Sequence, residues 1–160
     1  DWLVEKATEL GACSLLPISA ERSVLKLKGE RSDKKLAHWQ AIAVAASEQC
    51  GRNQVMAVTP PLTLAQALTA VPTAQPTNPR WILSLAAGTK PLSAAFEDAK
   101  KNAQSLPLEV TVLSGPEGGL SPSEEAQALA AGFVPVSLGP RVLRAETAPV
   151  AVLSVLGALI

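Results

Sequence analysis

Leu108-Glu109-Val110-Thr111-Val112-Leu113-Ser114-Gly115-Pro116-Glu117-Gly118-Gly119 runs a β-branched, apolar segment straight into a glycine-dense bend. A run of that kind over 108–113 predicts a strand buried on both faces, as in parallel sheets. Glycines placed just after it admit positive φ and let the main chain come close to a ligand. The same design recurs downstream. Residues 133–138 read as a strand and enter Gly139-Pro140-Arg141-Val142-Leu143-Arg144-Ala145-Glu146-Thr147-Ala148 before an apolar, helix-like segment at 149–160. Between the two, Ser121, Pro122 and Glu124 supply an N-cap, a first-turn proline and a capping-box acid for a helix ending near Gly132.

Working outward, 81–86 is apolar apart from Ser84 and is expected as another buried strand, and 92–103 has helical character. Residues 34–49 place Leu36, Trp39, Ile42, Ala43 and Ala46 on one helical face. Trp2, Leu3, Ala7 and Leu10 repeat at helical spacing before Gly11, a natural stop. Residues 14–20 predict a strand despite Pro17, at an edge or a bulge. Residues 55–58 predict a short strand, and Thr63 caps a helix through Leu68. Two connections are expected: an exposed loop over 21–33, and an irregular segment rich in proline and threonine over 71–79. Thr147 is the expected cap of the last helix. Helices and strands alternate throughout, which predicts an α/β fold with a mostly parallel sheet flanked by helices. Ligands of such sheets sit beyond the carboxyl ends of the strands, where both glycine loops fall.

Composition bounds the rest. The 160 residues suit one domain with a real core, and 48 % hydrophobic against 18 % charged residues excludes global disorder. Lys+Arg and Asp+Glu both number 14, so any polyanion site is a local patch. Cys13 and Cys50 lack C-x-x-C spacing and the single His38 has no ligand-type neighbour, so no metal site is expected. The cysteines read as reduced core thiols of a cytoplasmic protein. The longest apolar stretch, 148–160, is short for a bilayer and contains Pro149, so no membrane span is expected. The chain opens at Asp1 directly into a helix-like pattern, as expected of part of a longer protein.

The bend at 115–119 matches neither the dinucleotide fingerprint nor the P-loop, and Glu117 would repel a polyphosphate. It suits a ligand that is cationic or rich in hydroxyl donors. The 138–148 segment holds two arginines and an Arg144-x-Glu146 pair, more chemistry than a turn needs. An ion pair between these two at the mouth of the last helix is the structural reading. The functional one has Arg141 or Arg144 meeting RNA phosphate or a developing anion. Lys26, Lys28, Arg31, Lys34 and Lys35, interspersed with Glu30 and Asp33, read first as a solvated face and second as an RNA contact.

Together, Gly115-Pro-Glu-Gly-Gly and Leu138-Gly-Pro-Arg-Val-Leu-Arg-Ala-Glu-Thr-Ala resemble the paired signature of the small-subunit ribosomal RNA uridine-N3 methyltransferases, in the SPOUT superfamily. Glu5-Lys-Ala-Thr-Glu-Leu-Gly11, Glu21-Arg-Ser23 and Ser47-Glu-Gln-Cys-Gly-Arg52 agree, in order, over essentially the whole chain. The resemblance implies a catalytic domain with a C-terminal trefoil knot that binds S-adenosylmethionine, without the PUA-like N-terminal domain of that family. It implies a cofactor pocket from Leu85, Ala86, Gly115, Glu117, Gly118, Gly119, Leu138, Gly139, Leu143, Arg144, Thr147 and Ala148. Catalytic candidates are Arg144, Glu146 and Arg52, with Arg22, Arg52 and Arg141 toward RNA. The implied substrate is a uridine of 16S ribosomal RNA in the small subunit, and the implied assembly a homodimer. Ala145 stands where that family commonly has threonine, and Val142 where it has isoleucine. Two other readings stay open: a non-catalytic knotted RNA-binding or assembly module, and a related enzyme acting on a 2′-hydroxyl or another base.

Overall fold

A computed structural model describes residues 1–23, 29–103 and 109–159. Lys26, Lys28, Leu108 and Ile160, all part of sequence expectations, lie outside them. The chain alternates as expected: α1 (Trp2–Glu9), β1 (Ser14–Leu15), β2 (Ile18–Ser19), α2 (Glu30–Cys50), β3 (Ala57–Val58), β4 (Leu62–Thr63), α3 (Leu64–Ala70), β5 (Arg80–Leu83), β6 (Lys90–Pro91), α4 (Leu92–Asn102), β7 (Thr111–Leu113), α5 (Pro122–Ala130), β8 (Phe133–Ser137) and α6 (Thr147–Leu159).

Every named strand pair is parallel. The principal sheet has the order β6-β8-β5-β7. Strands β5 and β6 are consecutive in the chain, yet β8 lies between them. The connection 84–89 therefore arches across β8 at Val136, which faces Leu83 on one side and Lys90 on the other. On one side of this sheet, Trp81, Leu92, Phe96, Val136, Val152 and Leu156 form a core in which α4 and α6 meet β5 and β8. Ile82, Leu113, Ala128, Phe133 and Leu64 form another with α3 and α5. A third, around Val4, Ala7, Ala43, Met56 and Val58, seats α1 on α2. Truncating a fully buried ring such as Phe96 to alanine removes about 3–5 kcal/mol.

Several boundaries differ from expectation, each for a tertiary reason. The 14–20 strand is split at 16–17. Pro17 has no N–H to donate, but its carbonyl accepts from Leu62 N at 2.9 Å. Pairing resumes with one extra residue on the partner side: Leu15 faces Val58, whereas Ile18 faces Leu62. That is a bulge at Pro60-Pro61. Helix α2 begins at Glu30 instead of residue 34, so the end of the expected 21–33 loop is helical. Gly29 (φ 56) opens the turn, Glu30 and Asp33 sit where the helix dipole favours acids, and Lys34 pairs with Glu30 at 3.0 Å. The edge strand β6 was not foreseen. The 71–79 segment is tied down by Arg80, a buried residue whose guanidinium donates to the carbonyls of Val71, Pro72 and Ala131 and stacks on Phe133. Cys13 and Cys50 are free but exposed, one after α1 and one on the last residue of α2, so neither is a core thiol. Trp81 is core and His38 a surface helix residue, as read; Trp2 is exposed.

Candidate functional site

Because β8, β5 and β7 are adjacent and parallel, their carboxyl ends share one sheet edge. Ile82 stands opposite both Leu113 and Pro135, so the loops that follow start at one level. The outer two of the three strands are two spacings apart, about 10 Å. Three loops (84–89, 114–121 and 138–146) thus leave the edge side by side. Both glycine bends are in one place.

The middle loop accounts for a correction. Leu85 and Ala86 are not strand residues, since β5 stops at Leu83. Ser84 N makes the last sheet bond, to Val136 O at 2.9 Å. The chain then closes on itself: Ala86 O accepts from Thr89 N and Oγ1, with Gly88 at φ 77. That curl turns Leu85 outward, 64 % exposed.

In the 114–121 loop, Gly119 N donates to Pro116 O at 2.8 Å and closes a tight turn, with Gly119 at φ 69. Gly115 has ordinary φ, but a Cβ there would lie 3.2 Å from Leu120 N, so the two ends of the bend touch because residue 115 lacks a side chain. Beyond it, Ser121 caps α5 in the expected capping box with Glu124. Glu124 does more than that box requires. It is 4 % exposed, and its two carboxylate oxygens accept from Ser121 N and, 103 residues away, from Glu21 N, both at 2.8 Å.

The 138–146 loop is held mainly at its ends. At its entry Gly139 (φ 107) donates its N–H to Ser137 Oγ at 3.1 Å. At its exit Arg144 O accepts from Thr147 N and Ala148 N. Thr147 is accordingly the first residue of α6, not its cap. Leu138, Leu143 and Ala148 are half-buried, whereas Arg141, Val142, Arg144, Glu146 and Thr147 are exposed. Among the described residues no ion pair joins Arg144 to Glu146.

Of the outlying candidates, one joins the cluster and one does not. Arg22 lies on the glycine bend, its Nη1 donating to Gly118 O at 3.0 Å. Arg52 instead closes the end of α1, its Nη1 donating to Thr8 O at 2.7 Å and Ala12 O at 2.9 Å. Gly157 packs near Leu10 O, ten residues along α6 from its start and so about 15 Å from the exit of the 138–146 loop. Arg52 at this α1 end is therefore placed apart from the loops. A groove of about 630 Å³ between α1 and α2, lined by Glu5, Lys6, Glu9, Ile42, Ala45, Ala46 and Gln49, is likewise separate from them. In it the Lys6 ammonium pairs with Glu5 and Glu9, which raise its pKa above the ordinary lysine value.

The loops suit a nucleoside-bearing cation such as a sulfonium. Leu85 and Val142 offer uncovered apolar surface, and Leu138 and Leu143 are half-buried. At Gly119 and Gly139 the side of the backbone where a Cβ would stand is open space, so bare main chain can reach a ligand. Glu117 and Glu146 are exposed carboxylates at the same edge.

Residues 1–157 match the model of a family described as an RNA methyltransferase domain. Ribosomal RNA small subunit methyltransferase E of Synechocystis is 38 % identical over 99 % of this chain and 48 % of its own length. That of Bacillus subtilis is 34 % identical over 96 % of this chain and 59 % of its own. Among solved structures, ribosomal RNA small subunit methyltransferase E of Neisseria gonorrhoeae bound to S-adenosylmethionine superposes with a TM-score of 0.82 at 35 % identity, covering 99 % of this chain and 60 % of that one. A Legionella pneumophila methyltransferase in complex with the same cofactor gives 0.83 at 35 %, covering 98 % and 60 %. The chain thus spans about half to three fifths of the length of these relatives.

Proposed function

The chain belongs to the RNA methyltransferase domain family, and on that footing we propose that it is the catalytic unit of an S-adenosylmethionine-dependent enzyme methylating N3 of a uridine in 16S ribosomal RNA of the small subunit. The observation that carries this reading is the meeting of three loops at one sheet edge, with bare glycine backbone, uncovered apolar side chains and charged groups together. Relatives named ribosomal RNA small subunit methyltransferase E, one of them solved bound to S-adenosylmethionine, support it.

When bound, S-adenosylmethionine supplies an activated methyl group. Main chain at Gly115, Gly118, Gly119 and Gly139 and the side chains of Leu85, Leu138 and Leu143 hold the nucleoside, with Ala86, Thr147 and Ala148 at the margins. This chain must then orient an unstacked uracil and promote loss of its weakly acidic N3 proton. Arg144, with Arg141 beside it, places positive charge against a uracil carbonyl as negative charge grows there. Glu117 and Glu146 are the carboxylates in the cluster able to take the proton or bind the ligand. Arg52 stays outside this group, because its guanidinium supports α1.

Three finer features belong to the same reading. The arch of 84–89 over β8 supports a knotted C-terminal segment. Helix α6 is apolar on nearly every side, yet Val155 and Leu159 are 39 % and 45 % exposed, which supports burial against a second copy. Action on ribosomal RNA supports a cytoplasmic location for the protein.

The test is transfer of labelled methyl from S-adenosylmethionine to small ribosomal subunits, with mass spectrometry of the digested RNA. N3-methyluridine is the expected product; methyl on a ribose or another base, or no transfer, refutes the assignment.

A further inference from the structure

We propose that Arg22 is a positioning residue for the cofactor loop, and that Ala20-Glu21-Arg22-Ser23 is a rigid brace holding the 115–119 bend in its binding shape. The inference rests on the cofactor reading above. Four hydrogen bonds build the brace. It is closed on itself: Ser23 N donates to Ala20 O at 3.1 Å and Ala20 N donates to Ser23 Oγ at 3.0 Å. It is joined to the start of α5 through Glu21 N and the buried Glu124 carboxylate. And it touches the bend through Arg22 and Gly118 O.

The glycine at 118 is the telling detail. Its φ is not among the positive ones, so its backbone conformation does not call for glycine. What its missing side chain admits is Arg22: a Cβ there would stand 3.2 Å from Arg22 Cβ and 3.5 Å from Cδ. The peptide joining Gly118 to Gly119 is thereby fixed at both ends. Its carbonyl accepts from Arg22 while its N–H donates to Pro116 O. A loop whose peptide planes are set before the ligand arrives loses less on binding. Arg22 thus acts on the cofactor through the loop, whereas an RNA-phosphate contact would act on the polyanion directly.

The experiment measures S-adenosylhomocysteine affinity by calorimetry for the parent, Arg22→Ala, Arg22→Lys, Arg22→Gly, Gly118→Ala and the Arg22→Gly/Gly118→Ala double variant. Arg31→Ala, on the exposed first turn of α2, serves as control. Arg22→Ala is expected to weaken binding about 3- to 10-fold with melting temperature little changed. Lysine should restore part of that, since only one nitrogen is used. Gly118→Ala should weaken binding in the parent and cost little more in the Arg22→Gly background, where the Cβ it would meet at 3.2 Å is gone, the coupling expected of touching partners. No binding by the parent sinks the cofactor reading itself. Parent binding with unchanged affinity in Arg22→Ala, or equal cost of Gly118→Ala in both backgrounds, overturns the brace. So does a loss confined to RNA affinity with a shallower salt dependence, the mark of a phosphate contact.

Discussion

The two glycine bends look alike in sequence and are built differently. The 114–121 bend is locked from within by its Pro116–Gly119 turn and from outside by Arg22 and Glu124. The 138–146 loop is fixed where it leaves β8 and where it enters α6, and between those points it shows Arg141, Val142 (80 % exposed), Arg144 and Glu146 to solvent. One bend is a preformed seat made of main chain. The other presents side chains. The first should govern cofactor binding, and the exposed Arg141, Arg144 and Glu146 of the second should govern whether chemistry follows.

Substitutions can break that division. Gly115→Val is expected to have the largest effect, because the new side chain meets Leu120 backbone at 3.2 Å. It should cost about 2–3 kcal/mol in urea denaturation and abolish cofactor binding. Arg144→Ala should leave stability within about 0.5 kcal/mol. Methyl transfer should nevertheless fall about 100-fold or more, with cofactor affinity falling far less. Equal losses in binding and turnover would erase the distinction between the loops. Glu124→Gln turns an amide NH2 toward a backbone N–H and should cost about 2 kcal/mol of stability while loosening the seat. Hydrogen exchange at 115–119 faster than in the parent is the readout.

The smallest effect concerns the arch between them. Lys90, at its end, pairs with Asp98 on α4 and holds that carboxyl below its ordinary value of 3.8. A depressed folded-state pKa gives stability that is present above pH 3.8 and lost as pH falls through the folded value. Asp98→Asn should therefore flatten the acid limb of the stability curve slightly, and leave cofactor affinity unchanged at neutral pH.

What could be read from sequence was what local rules govern. The expected caps Ser121 and Thr63 both form capping boxes, and the runs at 81–86 and 108–113 each yield a strand of the principal sheet, the central β5 and the edge strand β7. Three arginines show where that legibility stops. Arg22, Arg52 and Arg80 follow unremarkable polar or proline-rich stretches, yet one clamps a loop, one closes a helix and one is buried under a connection. Their acceptors are backbone carbonyls, which carry no sequence identity, and many lie far away: 96 residues for Arg22, 44 and 40 for Arg52, 51 for one bond of Arg80. The strand break at Leu83 was hidden for a similar reason. Apolar residues resume after Ser84 at Leu85 and Ala86, and the curl closed by Thr89 ends the pairing.

The slot between β5 and β6 is occupied by β8, which is synthesised after both. While the chain is being made, those two earlier strands must wait with their inner edges open, and no local hairpin can close them. Maturation therefore waits on β8: the seam that creates the binding edge zips shut only when 133–137 arrives, a long-range step of the slow kind. Nascent chains should be vulnerable to strand-pairing aggregation until that moment.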